Sequence, residues 1–166
     1  LTPAGVLDGT VPLQLITVED TRFFHCNVKT LNLLPSVLAS EKAKQAECQE
    51  AIFYRPGGRV TECAHSNVHI IQDGMLRTAP TDNLILPGIA RAHLIRMCKK
   101  LEIPVNETPF TLNDLFSAEE VLVTSSSNFC LHADTIDGKP VGGRQPELLE
   151  RLRSALVTEF YAATEN

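Results

Sequence analysis

The chain predicts an α+β fold: one domain in which strands and hairpins mix with helices instead of alternating with them one for one. Three observations carry this. Strand-like segments follow one another through the middle of the chain, separated by turn dipeptides such as Asp73-Gly74 and by Pro56-Gly57-Gly58. Three longer segments have helical spacing of apolar residues. No regular strand-helix-strand repeat links them, which argues against a parallel doubly wound sheet.

In chain order, residues 1–12 hold two prolines and two glycines and read as a linker. The alternation Leu13-Gln14-Leu15-Ile16-Thr17-Val18 predicts a strand, and residues 22–28 predict a second extended stretch. A helix is expected over residues 34–48, with Asn32 as its cap and Leu34, Val37 and Leu38 on its inner face. Residues 50–54 and those from Val60 onward read as paired strands, as do 67–71 and 75–78 around Asp73-Gly74. From Gly88 to Leu101, the set Ala90, Leu94, Met97, Cys98 and Leu101 forms a single apolar stripe, the clearest helix in the chain. Pro104 ends it, residues 105–110 read as extended, and Thr111-Leu112-Asn113-Asp114 has the form of a capping box. Residues 121–124 predict a strand running into Ser125-Ser126-Ser127. After a turn at Asp137-Gly138, a last helix over residues 146–161 faces inward through Leu149, Leu152, Leu156 and Phe160.

Composition narrows the function. The 166 residues are 43% hydrophobic and 21% charged, so one real core is expected. A net charge of −5 has the wrong sign for broad binding to nucleic acid or anionic lipid, and neither is expected as a partner. Five scattered cysteines without a C-x-x-C pair suit a reducing, cytoplasmic compartment better than a disulfide framework. No apolar stretch is long enough for a membrane helix, and no signal peptide opens the chain. It begins Leu1-Thr2-Pro3 without an initiator Met, the expectation being a piece of something longer.

Several residues invite chemistry. Gly88-Ile89-Ala90 opens a helix whose free N–H groups would hold a phosphate, although every helix has such an end. Ser125-Ser126-Ser127 offers hydroxyl and N–H donors at a strand end, or is an ordinary surface loop. Lys29, between Val28 and the apolar run from Leu31, is expected to be drawn inward, where desolvation makes an amine nucleophilic; the alternative is a snorkelling lysine. Glu62 follows a strand and would by itself be surface decoration. His65 and His69 lie four apart without carboxylates placed to complete a metal site, so no metal is expected. Cys26 and Cys63 lack the partners of a cysteine nucleophile, and no G-x-S-x-G elbow exists for a serine one.

Taken together these pieces occur in a familiar order. Glu62-x-Ala64-x-x-Asn67-Val68, then Leu76-x-Thr78, then Leu86-x-Gly88-Ile89-x-Arg91 resembles the signature of the fold-type IV pyridoxal-phosphate enzymes, with the nearest likeness in their D-amino acid aminotransferase branch. Upstream, Lys29-Thr30-Leu31-Asn32-Leu33-Leu34 resembles the family's cofactor-lysine segment; downstream, Val123-Thr124-Ser125-Ser126-Ser127 resembles its phosphate loop. The resemblance implies a mixed, largely antiparallel, barrel-like sheet with helices around it, over residues 13–166. It implies transamination of D-amino acids with 2-oxo acids in a homodimer. Lys29 would form the Schiff base with pyridoxal 5′-phosphate and move the substrate proton, and Glu62 would face the pyridine nitrogen. Leu86 would pack on the ring, while Gly88, Ile89, Ala90, Ser126 and Ser127 would bind the phosphate. Branched-chain aminotransferases and aminodeoxychorismate lyases share the pattern, and a non-catalytic domain retaining the fold is a further alternative.

Two positions depart from it. His69 stands where the family usually has Phe or Tyr, a change expected to be tolerated as packing. Ala90 stands where the D-amino acid branch usually offers a Thr hydroxyl. The family's preceding N-terminal domain, which supplies an arginine to the phosphate and binds the substrate carboxylate, has no counterpart in these residues.

Overall fold

The computed structural model describes residues 11–127 and 130–164. The expected linker, residues 1–12, therefore falls almost wholly outside the described residues. Strand β1 (Leu13–Glu19) leads through an irregular segment to helix α1 (Leu34–Gln45). Strands β2 (Glu50–Arg55), β3 (Arg59–Cys63), β4 (Asn67–Gln72) and β5 (Met75–Thr78) precede helix α2 (Ile89–Lys100). Then come β6 (Val105–Asn106), α3 (Leu112–Ser117), β7 (Glu120–Thr124), β8 (Leu131–Ile136), β9 (Lys139–Pro140) and α4 (Pro146–Thr164).

The strands form one mixed sheet in the order β3-β2-β1-β8-β7-β4-β5-β6, with β9 beside β8. Pairings of β1 with β2 and β8, and of β5 with β6, are parallel; the other five are antiparallel. Topology forces this sheet to curl. Strands β3 and β4 are joined only by residues 64–66, yet they stand five places apart in the strand order. Five strand spacings of about 4.8 Å make roughly 24 Å when flat, whereas four residue steps reach about 14 Å at most. The sheet therefore bends until β3 returns towards β4, giving the barrel-like core expected.

Inside the curl, Leu15, Ile52, Val60, Ile70, Val121 and Ile136 form the main core, closed by Phe110 and Leu115. On the outer face α2 and α4 pack through Leu94, Cys98, Leu149, Leu152 and Leu156 on Ile71, Leu76 and Leu122. Helix α1 covers Ala51 and Phe53 with Ala39 and Ala43.

The Asp-Gly turn signals and the Thr111 capping box hold. Asp73 and Gly74 take φ of 52° and 69° at the β4–β5 hairpin, as do Asp137 and Gly138 with 51° and 71° before β9. The capping box is complete, Thr111 and Asp114 bonding reciprocally at α3. Five expectations fail. Residues 22–28 are not a strand: Val28 N–H donates to the His25 carbonyl at 3.0 Å, closing a turn. The N-cap of α1 is Leu33, without a side-chain cap, instead of Asn32. Its buried residues are Ser36, Ala39 and Ala43, while Leu34, Val37 and Leu38 are exposed; small side chains let the helix lie close on β2. Strand β8 forms where none is expected, and Phe160 is only partly buried.

Candidate active site

The seam where β3 returns to β4 holds the most concentrated charge among the described residues. Glu62, on β3, is 5% exposed. One of its oxygens accepts from the Arg22 guanidinium. The other accepts from Asn67 Nδ2 and from the Leu86 backbone N–H, each at 3.1 Å. A carboxylate has about four acceptor positions, so three are taken and one is left.

Arg22 is itself held on several sides. Its Nε and Nη2 form a two-pronged pair with Asp20, each at 2.9 Å, and its guanidinium lies 4.5 Å from the Phe53 ring centroid. Arg55 reaches Asp20 at 3.1 Å and donates to the Arg22 carbonyl at 2.9 Å, and Thr61 Oγ1 donates to Asp20 at 3.0 Å. This sharing divides the two carboxylates. Burial pushes both upward, but for Asp20 the Arg22 bonds and charge outweigh it, with help from Arg55, and the carboxyl sits below its ordinary value. Glu62 has a single bond to Arg22, burial wins, and its carboxyl sits above the usual range. Arg22 is raised in turn, its two carboxylates overcoming burial.

Asn67 ties this network to α2. Its Nδ2 also donates to the Leu86 carbonyl at 3.0 Å, and its Oδ1 lies against Gly88, where an added Cβ would come within 2.2 Å of it. Gly88 has φ −65°, so close approach and not backbone conformation demands glycine there. Gly88 is the N-cap of α2; no side chain caps this end and its first turn carries no acid. The N–H groups of Ile89 and Ala90 thus begin a helix suited to an anion. In the β4–β7 ladder Asn67 is paired with Thr124, which places the start of the Ser125–Ser127 loop beside the same corner. Ser125 and Ser127 hydroxyls lie 3.2 Å apart, Ser126 is exposed, and Asn128 lies outside the described residues.

The sequence-predicted residues Glu62, Leu86, Gly88, Ile89 and Ala90 are accordingly brought together by direct bonds or chain continuity, and Ser126 and Ser127 by strand register. Lys29 belongs to a segment anchored to the loop between β5 and α2 that carries Leu86. Arg22 begins that segment on Glu62, Cys26 N–H donates to the Asn83 carbonyl at 2.9 Å, and Asn83 Nδ2 donates to the Phe24 carbonyl at 2.7 Å. Lys29 itself is exposed, contrary to the expectation that it would be drawn inward, so desolvation is not what distinguishes it. Its segment lacks a cover because the apolar residues around it, Val28, Leu31 and Leu33, also face outward.

Sequence reasoning missed Asp20, Arg22, Thr61 and Arg55, and gave Asn67 no role. The available signal was an Asp-x-Arg pair in a stretch otherwise read as extended. Burial pushes the Cys26 and Cys63 thiols up, which suits packing and not nucleophilic attack. His65 lies in the turn before β4 and is exposed, whereas His69 is fully buried. Among the described residues no cluster of three His, Cys, Asp or Glu is placed to hold a metal, and no helix is long and apolar enough to cross a membrane.

Known proteins share this fold. The chain is 43% identical over 150 residues to a D-alanine aminotransferase of Listeria monocytogenes, and 34% identical over 153 residues to one of Bacillus licheniformis. These alignments take in 90% and 92% of this chain but 52% and 54% of the relatives, so the chain spans about half their length. Among solved structures, the branched-chain amino acid aminotransferase of T.th., complexed with N-(5′-phosphopyridoxyl)-L-glutamate, superposes with a TM-score of 0.79 at 29% identity, over 87% of this chain and 51% of that one. The branched-chain enzyme from Escherichia coli gives 0.81 at 27%, over 90% and 52%. Residues 10–136, most of the chain and every element of the seam, match amino-transferase class IV, and the chain belongs to that family.

Proposed function

We propose that the protein carrying this chain transaminates D-amino acids, D-alanine in type, with 2-oxo acids, and that residues 13–166 are its pyridoxal-phosphate-holding domain. The observation that carries the reading is the Glu62 carboxylate, buried with three N–H donors and one acceptor position left, tied through Asn67 to an uncapped helix start. That donor set fits the cofactor at both ends: a single ring N–H completes Glu62, and a phosphate suits the first turn of α2. The 43% identity to a D-alanine aminotransferase favours D-amino acids over branched-chain or lyase chemistry.

Bound there, pyridoxal phosphate supplies an aldehyde that condenses with amines and a ring that takes up electrons from the substrate α-carbon. Lys29 would hold it through its amine and would serve as the acid/base that moves the substrate α-proton. Glu62 would face the ring nitrogen, whose pKa a neighbouring carboxylate raises; Arg22 opposes, without cancelling, the burial that pushes the Glu62 carboxyl up. Leu86 packs on the ring. The N–H groups of Ile89 and Ala90 with the Ser126 and Ser127 hydroxyls hold the phosphate, Gly88 giving the close approach. The groups that bind the substrate carboxylate belong to the half of the relatives that this chain does not span. A second copy of the protein covers the apolar surface beside Lys29, giving a cytoplasmic homodimer.

Borohydride reduction after incubation with pyridoxal phosphate, followed by peptide mass analysis, tests the site: the adduct is expected on the peptide containing Lys29, and an adduct confined to other lysines overturns the assignment. Assay of the full-length protein with D-alanine, L-valine and aminodeoxychorismate separates D-amino acid transamination from the branched-chain and lyase alternatives. The 166-residue chain alone is expected to bind cofactor weakly and turn over poorly.

A further inference from the structure

His69 does not pack as an aromatic spacer. Its side chain is fully buried, and both ring nitrogens meet hydroxyls: Nδ1 and Thr78 Oγ1 are 2.8 Å apart, Nε2 and Thr124 Oγ1 2.9 Å. Thr78 and Thr124 are each 1% exposed. Burial, with the Arg91 charge nearby, pushes the imidazole pKa down to about 3, so the ring is neutral and has one donor and one acceptor. A threonine hydroxyl serves in either sense, so both bonds persist whichever nitrogen carries the proton. His69 thus packs in the interior, as expected, and also bridges two strands.

What the bridge joins gives it a role. Thr124 ends β7, and residues 125–127 follow it directly. Thr78 ends β5; the next residue, Ala79, accepts through its carbonyl from Arg91 Nη2 at 2.8 Å, and Arg91 lies in the first turn of α2. A single chain of contacts thus runs from the serine loop through Thr124, His69, Thr78, Ala79 and Arg91 to the start of α2. The two ends of that chain are the segments assigned above to a phosphate.

We propose that His69 is a positioning residue for the phosphate of the bound ligand: its two hydrogen bonds fix the distance between the serine loop and the first turn of α2. The inference rests on the site reading under Proposed function and adds the group that holds its two phosphate arms in register. His69 touches no ligand atom. It acts by making the site selective for a phosphorylated over an unphosphorylated pyridoxal.

The test compares dissociation constants of pyridoxal phosphate and pyridoxal, measured by absorbance titration of the full-length protein and its variants. His69→Phe keeps the ring's bulk and loses both bonds; the preference for the phosphorylated ligand is expected to fall by roughly three- to tenfold, the worth of one to two modest hydrogen bonds. His69→Gln, which retains a donor and an acceptor, is expected to stay within about twofold of the parent. Thr124→Val removes the loop-side hydroxyl with little change of shape, and serves where His69→Phe does not fold; it is expected to lower the preference as His69→Phe does. Glu62→Gln is expected to weaken both ligands alike. An unchanged preference in His69→Phe or in a folded Thr124→Val, or an equal loss for both ligands, overturns the proposal. A parent protein that does not distinguish the two ligands overturns instead the phosphate assignment beneath it, whatever the variants do.

Discussion

The surroundings of Glu62 and of Lys29 are built on opposite plans. Glu62 lies among partners from three separate stretches of chain, each contributing a charge or an N–H at bonding distance, and its side chain is almost closed to water. Lys29 lies on a segment whose apolar residues face outward: Leu31 is 95% exposed, and Leu34, Val37 and Leu38 on α1 are all more than half exposed. Exposed apolar surface of this extent marks an interaction or ligand-binding surface. One half of the proposed site is thus preorganised by the chain's own charges, and the other is open.

Lys29→Ala tests the open half at the amine proposed above to hold the cofactor. In the full-length protein it is expected to abolish covalent cofactor attachment and to lower turnover by about a thousandfold or more, read from borohydride trapping and from kcat. Arg22→Leu strikes the closed half. It leaves Asp20 and Glu62 buried beside one another with only Arg55 for compensation, and a loss of about 3–5 kcal/mol is expected in urea unfolding. A loss below about 1 kcal/mol would mean that water, not Arg22, satisfies these carboxylates.

Acid tests the buried His69 bridge without a mutation. His69 titrates near 6.5 unfolded and at about 3 folded, so between those values the unfolded chain binds the extra proton. Stability rises with pH through that window and is lost as pH falls from 6.5 towards 3, at up to about 1.4 kcal/mol per pH unit for one proton. Unfolding midpoints measured across pH 4 to 7 are expected to show this slope in the parent and a shallower one in His69→Gln. Asp20, held below its ordinary value, adds its own loss only at lower pH, as acid reaches its folded pKa. The smallest effect is expected from Leu31→Ser, which in this chain alone should shift stability by no more than about 0.5 kcal/mol because the side chain is already in water. In the full-length protein the same change is expected to weaken self-association in sedimentation, and an unaltered dimer would place the covering surface elsewhere.

The same contrast explains what the sequence made legible. Helix α2, its Gly88 start, the two Asp-Gly hairpins and the Thr111 capping box are written in residues within a few positions of each other, and all are readable. Glu62, Leu86 and Gly88 emerge through motif order, although the physical link between them, Asn67, has no visible partner in one dimension. Arg22 carries no local signal because the carboxylate it meets on β3 is forty positions away. On α1 the hydrophobic pattern points to Leu34, Val37 and Leu38, but burial goes to Ser36, Ala39 and Ala43, since close approach to β2 selects for small side chains. Strand β8 exists because β1 and β7 flank it, and its mixture of polar and apolar residues carries little local preference of its own.

The short link at residues 64–66 acts as a drawstring on the whole sheet. It sets how tightly the curl closes and with that how far apart Glu62 and Asn67 stand. Lengthening it by even a few residues would slacken the curvature and let the carboxylate drift from the amide while every strand stayed paired, so the spacing of this corner is governed by a loop that carries none of its chemistry.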